Sequence, residues 1–234
     1  MPFIKVESHI PNTSLGLWKI EEDEYYFLER VKLYDNEWVQ LGKVIHPKKR
    51  LEWLSSRLCL KHLLDIKDTS RIESLRMDSG KPYLSNQSYN ISYSHSLEYS
   101  AAIASQAHEV GVDIEYLKRK RNIRTRFLFM DDEELDWFEE NPTFENFILI
   151  WSAKESLYKI VGRGFGFKEH IHIRPDSSQL ECNGILPAYV KTSEYYQEFQ
   201  VHFEVREEVA LTYTYLPQLQ QVESPNAIVA LSGN

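Results

Sequence analysis

The sequence predicts an α+β fold built as two similar α/β lobes in one chain. Three observations carry this. The chain has 234 residues, enough for one large domain or two small ones. Each half repeats a coarse rhythm, with helical patterning first and several short alternating strands after it. The rhythm restarts near residues 105–110. That places the lobes at 1–107 and 108–216, with a polar tail at 217–234 beginning at Pro217.

Phe3 to Glu7 and Leu15 to Ile20 read as strands. Glu21-Glu-Asp-Glu puts acids at the start of a helix running to about Leu33, as the helix dipole favours. Pro47 opens a second helix to about Leu64, with leucines for the core and Arg50, Arg57 and Lys61 as charge. Ser79 to Ser85 is a turn leading into a short extended piece. Tyr89 to His95 and Tyr99 to Ser105 are strands, with Ser94, His95 and Ser96 at the hairpin end between them. Small hydroxyls, backbone N–H groups and an imidazole in one turn make a cradle for phosphate, although a lone turn histidine also fits a structural role.

Glu109 to Tyr116 is the next strand. Its period of two sends Val110, Val112 and Ile114 to one face and Gly111, Asp113 and Glu115 to the other. Two carboxylates at i and i+2 have Cα atoms about 7 Å apart and can converge on a hard cation; an exposed polar strand face reads the same way. Lys118 to Arg126 is a basic run, either a solvated loop or a docking surface for an acidic partner, with Phe127 and Phe129 as apolar anchors. Asp131 and Glu134 form a capping-box pair for a helix ending near Asn141-Pro142. The helix that follows holds Ile150 to Gly162. In it Trp151, Glu155 and Lys159 recur at i, i+4 and i+8 along one face. One turn, about 6 Å, separates acid from amine. That span suits one wall of a phosphoryl-transfer site, and equally a surface ion pair. Beyond Gly166 the patterning is strand-rich: His170 to Ile173, Ala188 to Thr192, Phe199 to Val205 and Val209 to Tyr215.

Composition narrows the function. Net charge is −8, which disfavours bulk nucleic-acid binding while leaving basic patches for anions. No apolar run is long enough for a membrane span, and the opening residues read as a strand rather than a secretory leader. Cys59 and Cys182 read as reduced, buried thiols, so a cytoplasmic location is expected.

Four segments together resemble the 4'-phosphopantetheinyl transferase superfamily: Gly111-Val-Asp-Ile-Glu115, Trp151-Ser-Ala-Lys-Glu-Ser-Leu-Tyr-Lys159, Ser92-Tyr-Ser-His-Ser96 with the preceding Gly80-Lys-Pro82, and Arg50 to Arg57 as the amino-terminal helix of the larger, two-lobed class. The resemblance implies a pseudo-dimer of two lobes in one chain, without need of a second copy. It implies a holo-acyl-carrier-protein synthase type of activity, moving the phosphopantetheine arm of coenzyme A to a serine of an apo acyl or peptidyl carrier protein and leaving adenosine 3',5'-bisphosphate. By position it implies Asp113, Glu115 and Glu155 as Mg²⁺ ligands, with Glu155 also the base, directly or through water. Lys159 stabilises the leaving group at the pyrophosphate. Lys81, Ser94 and His95 contact coenzyme A, and Arg50 and Arg57 are candidates for its 3'-phosphate. Trp151 reads as a packing residue that sets the helix against the cleft.

Overall fold

The computed structural model describes residues 3–64, 72–118, 121–175, 182–206 and 208–216. The expected tail at 217–234 lies outside them. Two antiparallel sheets stack face to face, and a long helix covers the outer side of each. The first sheet contains β1 (Phe3–Val6), β2 (Thr13–Lys19), β5 (Asn90–Ser96) and β6 (Tyr99–Ser105), in the order β1-β2-β6-β5. The second contains β7 (Val110–Tyr116), β8 (Ile171–Ile173), β9 (Asn183–Lys191), β10 (Tyr196–Val205) and β11 (Val209–Tyr215), in the order β7-β11-β10-β9-β8. A small ribbon, β3 (Ser74–Arg76) with β4 (Pro82–Leu84), stands beside the first sheet. Its turn needs Gly80 at φ 90°, a left-handed conformation that side chains resist.

Period two sorts each strand between layers. In β6, Ala102 and Ala104 pack under α3 (Pro47–Leu63), while Ala101 and Ile103 face the second sheet. In β7, Val110, Val112 and Ile114 join that central layer together with Leu15, Leu17 and Leu211. The outer layer of the second half is α5 (Phe144–Val161), whose Ile150, Ala153 and Leu157 pack on Ile171, Val190 and Val201. The α+β class therefore stands, and the strands of the two sheets come from residues 3–105 and 110–215.

Three local readings need correction. The expected helix from Glu21 to about Leu33 is α1 (Glu24–Val31), and a further helix, α2 (Asp35–Gly42), follows it where none is expected. Asp23 caps the first by accepting from Tyr26 N at 2.9 Å, and Lys32 stops it in a left-handed conformation at φ 45°. Second, Ser94 and Ser96 lie within β5 rather than in a turn. Third, Cys59 is buried but Cys182 is exposed. The capping box of α4 (Asp132–Glu140) forms as expected, with Glu134 N donating to Asp131 Oδ1 at 2.9 Å and Asp131 N to Glu134 Oε2 at 2.8 Å.

Gly111 explains how closely α5 approaches β7. A Cβ there would lie 2.0 Å from the Ser156 carbonyl oxygen, which is helix backbone and cannot turn aside. Gly111→Ala should therefore push α5 away from β7 and cost about 1–3 kcal/mol by overpacking. Chemical denaturation checks this: a midpoint shift with unchanged slope is expected, and an unshifted midpoint would show that α5 has room to spare.

Candidate active site

β7 and α5 supply the acids, and β5 supplies the hydroxyls that hold them. Asp113 and Glu115 point toward α5 but are buried, at 4% and 5% exposure, so an open polar strand face is excluded. Asp113 Oδ1 accepts from Ser94 Oγ at 2.7 Å and Lys159 Nζ at 2.9 Å, and its Oδ2 accepts from Ser152 Oγ at 2.8 Å. Glu115 Oε2 accepts from Ser96 Oγ at 3.0 Å, and its Oε1 accepts from Trp151 Nε1 at 2.9 Å and from Arg121 Nη2. Ser92 Oγ accepts from Val112 N at 3.3 Å. Serines 92, 94 and 96 thus face β7 at every second position. They act on the acids and the β7 backbone, which is a different task from the phosphate cradle expected of that stretch.

Glu155 completes the acid wall. It is half-buried, and among the described residues no hydrogen-bond or ion-pair partner reaches its carboxylate. Burial, then the charge of Asp113, push it up to about pH 7 against the opposing pull of Lys159; Glu115 adds to the rise. Burial and Asp113 likewise raise Glu115, against Arg121, Ser96 and Trp151. Among the described residues no three His, Cys, Asp or Glu side chains are gathered as a metal-holding group, so the expected triad is not a closed ligand set. Its chemistry still fits a hard divalent cation. The donors are all carboxylate, and among the described residues no hydrogen bond or ion pair engages the Glu155 carboxylate. The strand acids carry internal counter-cations instead, Lys159 on Asp113 and Arg121 on Glu115.

Lys159 also donates to Val112 O at 2.7 Å. It lines a cavity of about 160 Å³ with Arg76, Lys81, Ser92, Tyr93 and Tyr158, so elements from both halves meet beside the acids. Lys81 pairs there with Glu109 at 2.7 Å. His95 lies apart from the acids; its Nδ1 is 2.8 Å from Glu52 Oε2, which also takes Lys49 Nζ at 2.6 Å. Burial raises the Glu52 carboxyl, but His95 and Lys49 outweigh it and hold it below its ordinary range.

The two amino-terminal arginines are not free cations. Arg50 donates to Glu24 Oε1 from Nε at 2.9 Å and Nη2 at 2.7 Å, and to the carbonyls of Leu41 and Val44, tying α1 and the end of α2 to α3. Arg57 is 1% exposed, with its guanidinium 3.5 Å over the Trp53 ring and donating to Tyr93 Oη at 3.0 Å. Burial lowers it to about 10. A helical-wheel reading shows them as a basic face; it does not show that neighbouring elements close over that face.

Two residues of the site escaped the sequence reading. Lys154 is fully buried, donates to the carbonyls of Phe129, Phe167 and Ile171 at 2.7 Å each, and lies 2.6 Å from Glu134 Oε2. Its signal was present: Ile150 at i−4 and Leu157 at i+3 place it on the apolar stripe of α5. Arg121 was read as a surface cation but turns inward to Glu115. Phe129 is buried rather than an exposed anchor, whereas Phe127 and Leu128 are exposed at 50% and 78%.

The carboxy-terminal half decides the relationship. Residues 109–214 match the family model described as 4'-phosphopantetheinyl transferase superfamily. Over that stretch the chain is similar to this superfamily. It is 28% identical over 178 residues to a Haemophilus influenzae protein provisionally named 4'-phosphopantetheinyl transferase, covering 68% of this chain and 73% of that one. It is 26% identical over 180 residues to the Mus musculus L-aminoadipate-semialdehyde dehydrogenase-phosphopantetheinyl transferase, covering 66% of this chain and 56% of that protein, so it spans little more than half of that relative. Among the superfamily's motif residues, Trp151 does more here than pack. Its ring sits 5.1 Å from Phe129 and 5.4 Å from Phe167, and its N–H fixes Glu115. Trp151→Phe should keep most of the packing, costing about 1 kcal/mol for the lost hydrogen bond. If Glu115 holds a divalent cation, the substitution should weaken its binding by about 10–100-fold, as loss of a group orienting a ligand does. Calorimetric titration checks this, and unchanged affinity would return Trp151 to packing alone.

Proposed function

We propose that this protein transfers the 4'-phosphopantetheine arm of coenzyme A to a serine of an apo acyl or peptidyl carrier protein, releasing adenosine 3',5'-bisphosphate. The observation that carries this reading is Glu155, a half-buried carboxylate without a partner among the described residues, facing Asp113 and Glu115 and one helical turn from Lys159. Asp113, Glu115 and Glu155 would hold Mg²⁺. When bound, the ion would reduce the charge on the coenzyme A pyrophosphate and help align it. Glu155, directly or through a water, takes the proton of the carrier serine. The serine oxygen bonds to the phosphorus bearing pantetheine, and the pyrophosphate P–O bond breaks toward the adenosine bisphosphate. Lys159 offsets charge on the departing phosphate. Lys81 reaches coenzyme A phosphate from the shared cavity by exchanging Glu109 for it; Ser94 contacts coenzyme A beside Asp113, and His95 contacts it on the opposite face of β5, beside Glu52.

The larger two-lobed class is the reading that places residues 1–107 and 108–216 as lobes sharing one cleft, and it leaves the chain monomeric. The proposal places its action in the cytoplasm; no helix among the described residues is long and apolar enough to cross a membrane. The carrier docks on the 3-10 turn Ile123–Leu128, where Arg124, Phe127 and Leu128 are exposed beside the acid wall. Arg124→Glu should raise KM for an acidic carrier about tenfold while leaving KM for coenzyme A unchanged. Equal changes in both would remove docking from this turn. The test of the reaction is release of adenosine 3',5'-bisphosphate from coenzyme A with Mg²⁺. Release is expected only when apo carrier is present; release without it would mean hydrolysis.

A further inference from the structure

Each strand acid holds a cation of the chain, but the two cations are anchored differently. Lys159 keeps a second bond, to the Val112 carbonyl, and Asp113 is held by two serine hydroxyls besides. Arg121 contacts Glu115 Oε1, the oxygen that also takes the Trp151 N–H, and its guanidinium lies 5.1 Å over the Trp151 ring. The ring contact is a weak hold beside what a divalent cation gains from a carboxylate cluster. Arg121 leads directly into the 3-10 turn Ile123–Leu128 through Asn122, whose side chain caps that turn by accepting from Arg124 N at 3.0 Å.

We propose that Arg121 is a positioning residue that occupies the place of the metal on Glu115 and is displaced when the divalent ion binds, so that metal binding moves the turn beginning at Asn122. The inference rests on the reading of Asp113, Glu115 and Glu155 as metal ligands. It explains why three carboxylates of the right kind do not close on one point: Glu115 is held toward Arg121 and Trp151 while Glu155 stands unpaired. The exchange is electrostatic. A guanidinium neutralises Glu115 in the metal-free protein, keeping a buried carboxylate tolerable, and leaves when a stronger cation takes that oxygen.

Mg²⁺ titration by calorimetry of the wild type, Arg121→Met and Arg121→Lys tests it, with 19F NMR of 5-fluorotryptophan-labelled protein in parallel. Trp151→Phe assigns the Trp151 resonance. Arg121→Met should bind Mg²⁺ roughly tenfold more tightly, because no guanidinium competes and the acids keep their full charge. Arg121→Lys, which retains the charge and guards against misfolding of the methionine variant, should fall between the two. In the wild type the Trp151 resonance should shift as Mg²⁺ saturates; in Arg121→Met the metal-free resonance should already be displaced and the shift should shrink. Equal Mg²⁺ affinities, or a Trp151 resonance that stays fixed in the wild type at saturation, would overturn the displacement. Failure of all three proteins to bind Mg²⁺ would overturn the reading of the acid wall itself, and the displacement with it.

Discussion

Glu155→Gln should lower transfer by about 10²–10⁴-fold, the range of a lost general base, while the affinity for coenzyme A alone should change far less. The expectation follows from the position of the carboxylate. In the metal-free protein Glu155 is held up to about 7 by burial and by Asp113, so the native state prefers it protonated. A carboxyl raised in the folded state stabilises the protein most below its unfolded value, and that stability is lost as pH rises through the folded one. The metal-free wild type should therefore lose stability from roughly pH 4.5 to 7 relative to Glu155→Gln. Above that window Glu155→Gln should melt higher than the wild type; at pH 4.5 the two should coincide. Thermal melts in chelator across that range check this. Parallel curves would mean that Glu155 does not carry the strain. Equal losses of transfer and of coenzyme A affinity would make the carboxylate a binding group rather than a base.

Lys154→Met should destabilise the fold by about 3–5 kcal/mol, the cost of leaving one partner of a buried ion pair uncompensated. Its ammonium is bonded to three carbonyls and lies against Glu134, which itself accepts from Ile173 N at 2.6 Å and caps α4. The loss falls on the site as well. Phe129 and Phe167 are held at their carbonyls by Lys154 and at their rings by Trp151, whose N–H reaches Glu115. Lys154→Met combined with Glu134→Gln removes the orphaned charge and should recover part of the stability, so the two changes are non-additive. A double-mutant cycle in denaturant measures the coupling. Additive costs would show that the two side chains are adjacent without depending on one another.

These two residues also show what the sequence discloses. Glu155 and Lys159 were legible because helical period and motif spacing are local properties, and the β7 acids were legible because the strand period is two. The long elements followed for the same reason: Pro47 opens α3, Thr143 caps α5, and Gly162 ends it. Lys154 was read past because a lysine in a helix defaults to solvent, and its three carbonyl acceptors come from segments that are distant in sequence. The surroundings of Arg50 and Arg57 were not legible, for the converse reason. A basic helix face was visible, but Glu24 and Tyr93, which close over it, belong to packing and not to pattern. The serines of β5 carried the signal of their task in their spacing of two, which was taken for a turn because a small polar cluster resembles one.

The proposed transfer depends most on the acids of β7 and α5 acting together. The decisive measurement is the intact mass of an apo carrier protein after incubation with coenzyme A, Mg²⁺ and this protein. The wild type should add the mass of one phosphopantetheine arm to the carrier, and Glu155→Gln and Asp113→Asn should add none in the same time. A carrier left unmodified by the wild type across fatty-acid, polyketide and peptide carriers, or one modified equally by the acid variants, would contradict it.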